Sequence, residues 1–341
     1  MINHKTKTCS RRVAAAALCL CALTTSYVAQ AADEPATSSA LSFDTVERAE
    51  TLNTSALTLA EDDMGQGQAD DSRRFFSPGG RLLLTGGVTQ IEGAGGGGLS
   101  PWALIGTYGT RDQLGVSAFA TGVNSEDFSL SAYGGAISYG NRIELSIARQ
   151  NFNLNAVGAA LGLGREFTIS QTIVGAKVRL FGDAVLEQDS LLPQVSVGIQ
   201  FKDNNQPGVV IGALAARDDN DFDYYVSATK IFLSQSLLVN ATARATRANQ
   251  FGILGFGGPT NNDYSIQFEG SVALLLSRHF AIGSEYRTKP DNLGFKEEDA
   301  FDVFIAYAPV HNITATLAYV DLGNVALRSQ HALYASLQFA F

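Results

Sequence analysis

The chain has 341 residues, 45% apolar and 17% charged, with 24 basic and 33 acidic side chains and a formal net charge of -9. So apolar a composition excludes wholesale disorder, yet no stretch approaches the ~18 consecutive apolar residues of a membrane-spanning helix. An acidic balance without a basic block argues against nucleic acid as a partner.

The chain opens on an address. Lys5, Lys7, Arg11 and Arg12 form a basic start, Val13 to Leu23 are all apolar, and Ala29-Gln30-Ala31 is a small-x-small cleavage site. Eleven apolar residues are too few to span a bilayer, so residues 1–31 read as a cleaved secretory signal and the mature chain is expected to begin at Ala32. Ser10-Arg11-Arg12 is faintly similar to a twin-arginine signal, but Ala14 and Ala15 follow where that signal is bulkier. Cys9, Cys19 and Cys21 all leave with this segment. Disulfide scaffolds, thiol nucleophiles and cysteine metal sites are thereby excluded together.

Residues 32–80 form an acidic leader, with ten acids against Arg48, Arg73 and Arg74. Leu41 to Ala60 has the spacing of a short helix, with Leu52, Ala56 and Leu59 on one side. The remainder reads as disordered. Whether the leader plugs a lumen, hangs free or binds something stays open.

From Arg81 to Phe341, period-2 alternation recurs between turn residues. The predicted strands are 81–92, 102–108, 113–123, 128–139, 142–152, 171–181, 194–202, 222–232, 237–247, 263–276, 280–288, 300–307, 312–321 and 332–341. That is about fourteen, within a range of about twelve to sixteen, and 209–216 is a candidate for one more. Alternation is clearest late in the chain. Val195, Val197, Ile199 and Phe201 share one face of their strand against Gln194, Ser196, Gln200 and Lys202. Between 237 and 246 the odd positions are apolar, so Ala243 and Thr242 point opposite ways.

Three arguments turn the apolar face outward. An interior of about fourteen strands is too wide for apolar side chains to fill. The opposite face carries Arg142, Glu144, Lys177, Arg179, Arg244, Glu269, Glu285, Arg287 and Asp302, which need water or partners. Connection lengths also alternate: 140–141, 233–236, 277–279 and 308–311 are short, while 153–170, 203–221, 248–262, 289–299 and 322–331 are long, as for periplasmic turns and external loops. Two connections break the pattern, 124–127 by being short and 182–193 by being long. Trp102, Tyr264, Phe301 and Tyr319 fall at the level of an outer aromatic girdle, and Phe280, Tyr307, Phe339 and Phe341 at an inner one. The fold class expected is an all-β transmembrane antiparallel barrel over 81–341.

The runs GGRLLLTGGVTQIEGAGGGGLSPWALIGTYGT, ATRANQFGILGFGG, EYRTKPDNLGF and LAYVDLGN resemble a proteobacterial family, the domain-of-unknown-function family 3034. The resemblance covers about residue 79 to the end and leaves out the leader. It implies an outer-membrane barrel and no catalytic residue. The terminal alternating strand with Phe339 and Phe341 resembles the carboxy-terminal signal read by the barrel assembly machinery, which the resemblance makes a partner in biogenesis, with outer-membrane lipid as the solvent.

Catalytic constellations are poor. The mature chain offers His279, His311 and His331. Two of these fall in short turns, and His331 has no Ser-x-Ser or acidic neighbour in sequence, so no enzyme is expected. Gly93 and Gly95 to Gly98 lack the strand–loop–helix order and following Lys of a phosphate loop, and read as a flexible external loop. Asp218, Asp219, Asp221 and Asp223 lack the Gly and terminal Glu of a calcium loop. No cofactor or metal is expected. The nine ionisable residues on the inner face are the candidate pore lining, with a small polar solute as possible cargo. Register arithmetic about the tight turn at Arg278 sets Glu269 opposite Arg287, and parity brings Arg244 and Asp302 into the same row. The function this supports is a porin-like channel or facilitator in a Gram-negative outer membrane. The alternative is a barrel that transports nothing and works through its loops or leader.

Overall fold

In a computed structural model the described residues are 88–109, 113–160, 162–294, 296–325 and 328–341. The expected signal (1–31), the leader (32–80) and residues 81–87 of the first predicted strand lie outside them.

Among the described residues, twelve antiparallel strands close on themselves. They are β1 (Leu114–Ser125), β2 (Ser129–Tyr139), β3 (Ile143–Asn153), β4 (Thr168–Phe181), β5 (Gln194–Asn204), β6 (Asn220–Phe232), β7 (Leu237–Thr246), β8 (Ser265–Leu275), β9 (Phe280–Arg287), β10 (Ala300–Val310), β11 (Ile313–Val325) and β12 (Arg328–Ala340). β1 pairs with β12 from Ser117↔Ala340 to Ser125↔Ala332, so the sheet keeps no free edge. The exterior carries the large apolar side chains: Ile147, Phe268, Leu317 and Leu333 are all more than half exposed. Their neighbours in sequence turn inward and are buried, save half-buried Gln267. An apolar outside and a polar inside is the arrangement a bilayer requires of a barrel.

Two of the fourteen predicted strands are absent from the barrel. Residues 88–92 and 102–108 form no barrel strand; they make only isolated bridges, Thr89↔Gly95 and Gly96↔Pro101. The whole of 88–109 lies inside the barrel and is buried, save half-buried Val88 and Gly98. Trp102 is therefore no girdle residue; it is 4% exposed. Residues 209–216 do not form a strand either, but leave a short helix, α1 (Pro207–Val210), in an outer loop. The expected long loop 322–331 is mostly strand, because β11 and β12 run on as a hairpin to Val325 and Arg328. The hydrophobic core is inside the barrel: Ile91, Trp102 and Leu104 pack on Phe119, Ile173, Ile231, Leu238 and a carpet of wall alanines. Small wall residues and a second layer of chain fill a lumen that wall side chains alone would leave open.

Candidate functional site

The lumen is built from two partners, the inner wall and the segment 88–109. The segment is glycine-rich because backbone passes backbone. A Cβ on Gly95 would lie 2.5 Å from the Cα of Gly106, and one on Gly106 would lie 2.6 Å from the Cα of Gly95. Chain packed this way makes few ladder bonds of its own, so its N–H and C=O groups need other partners once buried.

The wall supplies them. Glu144 on β3 accepts from Gly95 N–H at 2.9 Å and Gly106 N–H at 2.6 Å. Lys177 on β4 donates to the carbonyls of Gly95 and Leu104 at 2.8 and 2.7 Å and pairs with Glu144 at 3.1 Å. Gln194 and Ser196 on β5 both donate to Ala103 O at 2.6 Å. Thr242 on β7 donates to Pro101 O at 2.9 Å, and Trp102 donates through Nε1 to Ser271 on β8 at 2.9 Å. Glu285 on β9 accepts from Leu99 N–H at 2.8 Å. The polar face of these strands thus meets backbone where the alternation led us to expect water.

Toward the long-loop ends of β5 to β9 the contact becomes ionic. Glu92 of the segment accepts from Lys202 on β5 at 2.6 Å and from Arg287 on β9 at 3.0 Å, and its other oxygen lies 3.5 Å from Arg244 on β7. The three cations also hold wall acids. Lys202 and Arg244 meet Asp223 at 2.8 and 3.2 Å, and Glu269 takes Arg244 at 2.5 Å and Arg287 at 3.3 Å. These six side chains are all buried. Each charge therefore depends on its partners rather than on water.

Glu144, Lys177, Arg244, Glu269, Glu285, Arg287 and Asp302 are buried inside the barrel. The other two members of the candidate lining are not. Arg142 is exposed in the turn before β3, its guanidinium 3.5 Å from Leu180 O. Arg179, at the end of β4, turns to Gly182 O and to Asp183 at 3.1 Å. Burial would raise the Asp183 carboxyl, but the amides of Leu186 and Val185 and the Arg179 guanidinium outweigh it and hold it below the ordinary carboxylate value. Both sit where a strand ends: Arg142 just before β3, and Arg179 at the register shift between Arg179 and Phe181 in β4. Asp302 also departs from the expected row, since its register partner is Glu285, not Arg287. Sequence reasoning passed over Lys202, Asp223 and Glu92 as members of this cluster. The alternation puts Lys202 on the polar face; Asp223 is hidden in an acidic run of which Asp218 and Asp221 pair with Arg247.

The outer mouth is covered by the loop 247–258. Phe251 lies under the Arg287 guanidinium at 4.2 Å, and its carbonyl accepts from Lys202 at 3.1 Å. Ile253 and Leu254 join an apolar cluster with Phe128, Phe152, Leu293 and Val325. Two cavities flank the segment. One of ≈ 20 Å³ touches Trp102, Glu285, Asp302 and Phe304, and the other, of ≈ 60 Å³, touches Ile91, Phe128, Phe251 and Leu254. They have room for about one and a few water molecules respectively. His279 donates through Nδ1 to Ala308 O in its turn, His311 stacks on Tyr108 with ring centroids 4.1 Å apart, and His331 stands 3.7 Å from Asp321 at the outer rim. That acidic neighbour comes from the facing strand, where sequence adjacency does not reveal it.

The family described as a protein of unknown function (DUF3034) matches residues 85–338. No curated protein matches in sequence. Among solved structures, the KdgM porin in complex with disordered oligogalacturonate is 13% identical, covering 66% of this chain and 99% of that one with a TM-score of 0.43. The NanC porin is 11% identical over 65% of this chain and 98% of that one, with a TM-score of 0.42. The outer membrane phospholipase A from Escherichia coli is 9% identical over 68% and 94%, with a TM-score of 0.37. Likeness at this level says nothing of what this chain carries or transforms.

Proposed function

This chain belongs to the DUF3034 family, and we propose that it is an outer-membrane, porin-like facilitator for small polar solutes whose own residues 88–109 keep the passage shut. The observation that carries this reading is the chemistry of the inner wall. On β3 to β9 it sets buried polar and charged side chains among the apolar ones, and those polar groups take as partners the backbone of a segment that contributes no strand. A barrel needing only rigidity would fill such a lumen with apolar side chains, as small barrels do. A polar wall satisfied by a removable segment is instead a passage with a stopper. Withdrawn, the segment would leave Glu144, Lys177, Arg244, Glu269, Glu285, Arg287 and Asp302 lining a wet path. Phe339 and Phe341 serve assembly in this reading, and lipid is the partner of the outer face. The chemistry is transport without catalysis or cofactor.

Planar-bilayer recording tests it. The parent should be silent or flicker, and a variant with residues 89–107 replaced by a short Gly/Ser linker should pass steady current. A folded, heat-modifiable deletion variant that stays silent would refute the channel. It would favour the second reading, a structural or interaction barrel, which the dense bonding of the segment also supports.

A further inference from the structure

The geometry points to an anion site in the barrel wall, occupied now by the carboxylate of Glu92 and open to a carboxylate-bearing solute when residues 88–109 withdraw. This rests on the channel reading and names its substrate class.

Lys202, Arg244 and Arg287 come from three different strands and converge on one carboxylate at 2.6, 3.5 and 3.0 Å. The wall itself answers them with two acids, Asp223 and Glu269. Glu285 and Asp302 form no ion pair with these cations among the described residues; Glu285 is engaged by Ser271 and Leu99 N–H, and Asp302 by Glu285 N–H. The cluster is therefore balanced with Glu92 in place and carries one unmatched positive charge without it. If the Glu92 carboxylate is removed with the segment still seated, an unmatched charge among side chains no more than 3% exposed is unfavourable enough that another anion should take its place. With the segment withdrawn, water reaches the cations and their excess charge draws anions to the site. Two guanidinium groups favour a planar anion with two oxygens over a spherical one. Glu92 fills the site imperfectly. One of its oxygens makes no hydrogen bond although it is buried, because the carboxylate is tethered to a backbone held on both sides. A free carboxylate can turn to engage all three cations and so compete with the segment. The arriving solute would displace the stopper by occupying the stopper's own binding site.

Chemical rescue tests the site. The full chain is refolded in detergent as the parent and as Glu92→Ala, and its thermal transition is followed in sodium chloride, sodium acetate and acetamide with chloride held at equal ionic strength. Glu92→Ala should melt lower than the parent in chloride, and acetate should restore most of the difference saturably while acetamide restores none. The double variant Glu92→Ala/Arg287→Met should lose that rescue. If Glu92→Ala fails to refold in chloride, refolding yield becomes the readout, and recovery in acetate supports the site whereas failure in acetate overturns it. Equal effects of acetate and chloride, or rescue that survives in the double variant, would also overturn it. Recording on the variant with residues 89–107 replaced by a Gly/Ser linker, which removes both the stopper and Glu92, then separates the two readings. It should favour gluconate over choline by roughly threefold or more in permeability. A silent bilayer with intact acetate rescue defeats the channel alone, and current without anion preference or rescue defeats the anion site alone.

Discussion

Glu269 on β8 stands directly across from Arg287 on β9, and their side chains meet inside the barrel at 3.3 Å. Arg287 also donates to Glu92 and to Leu99 O, both at 3.0 Å, so one side chain ties two strands to the enclosed segment. Replacing it with methionine keeps much of the volume and leaves two carboxylates short of a cation. We expect Arg287→Met to cost about 3–5 kcal/mol, the range for breaking a buried ion pair from one side. A urea titration of the protein refolded in vesicles reads this directly. A loss under about 1 kcal/mol would mean the remaining cations redistribute freely and that the cluster is loosely built.

The two faces of β7 should respond to charge for different reasons. Ala243 points outward, and Ala243→Arg should cost about 2–4 kcal/mol near the bilayer midplane. Thr242 faces in, where alternation suggested lumen water, but its hydroxyl lies against Pro101 O and the residue is 3% exposed. Thr242→Arg therefore has no water to reach. It should dislodge the segment and raise conductance, whereas Ala243→Arg should lower stability and leave conductance alone. The same change in both readouts for both variants would contradict the face assignment.

That contrast shows what the sequence revealed of this molecule and why the rest was hidden. Period-2 alternation carries the barrel because each wall residue answers to the two faces of its own strand. Glu269 and Arg287 were placed by arithmetic because a tight turn leaves the register little freedom. Asp302 was misplaced because the longer connection after Arg287 pairs that residue with Ala300, which sets Asp302 against Glu285. The enclosed segment was unreadable for a deeper reason. Its bonding partners, such as Gln338 for Thr89, lie up to 249 residues away, and nothing local in a run of glycines records that. Read locally, Gly95 to Gly98 look like a flexible loop; only the wall explains them.

The outer loops should respond to pH. Burial pushes the Glu297 carboxyl up from 4.5 to about 7, and burial pushes the Lys289 ammonium down from 10.5 to about 8. A carboxyl with a raised folded value gives stability that is complete below its unfolded value and is lost as pH rises through about 7. A lysine with a lowered value gives stability that is complete above its unfolded value and is lost as pH falls through about 8. Docking of 288–299 should thus be loosest between these two values and tighten as pH falls to about 5. Hydrogen exchange of those amides, corrected for intrinsic rate, checks this. Glu297→Gln should flatten the acid limb, and protection that falls on acidification would show the sign to be wrong.

The closing seam makes a prediction about assembly. Phe341 N–H donates to Val116 O at 2.8 Å, and Val116 N–H donates back to Phe341 O at 3.0 Å. The Phe341 side chain itself is 61% exposed on the apolar exterior. Deleting it removes two bonds from a seam that continues to Ser125↔Ala332, so a barrel already folded should survive. We expect slower closure in cells and a severalfold drop in heat-modifiable protein, with little change in the urea midpoint of the fraction that folds. Normal accumulation of folded protein would contradict the assembly role.

The stopper can be unseated without touching the wall. Gly106 offers the cleanest site, because the obstacle to a side chain there is the backbone of Gly95 at 2.6 Å, not a flexible side chain that can swing aside. Gly97 is a poorer choice, since its added Cβ would meet the end of Glu285, which has other rotamers. Backbone at this distance cannot be relieved by a few tenths of an ångström, so in Gly106→Ala either the Gly95 strand of chain or the Gly106 strand must leave its place. Both also donate to Glu144, so the one that leaves takes a hydrogen bond from a buried carboxylate that Lys177 and the remaining amide then hold. The wall strands lose no ladder bond. We expect the variant to fold as a heat-modifiable barrel, to conduct where the parent is quiet, and to expose residues 88–109 to added protease. A Gly106→Ala barrel as silent and protease-resistant as the parent would mean the segment is an immovable core, and the passage it is taken to close would not exist.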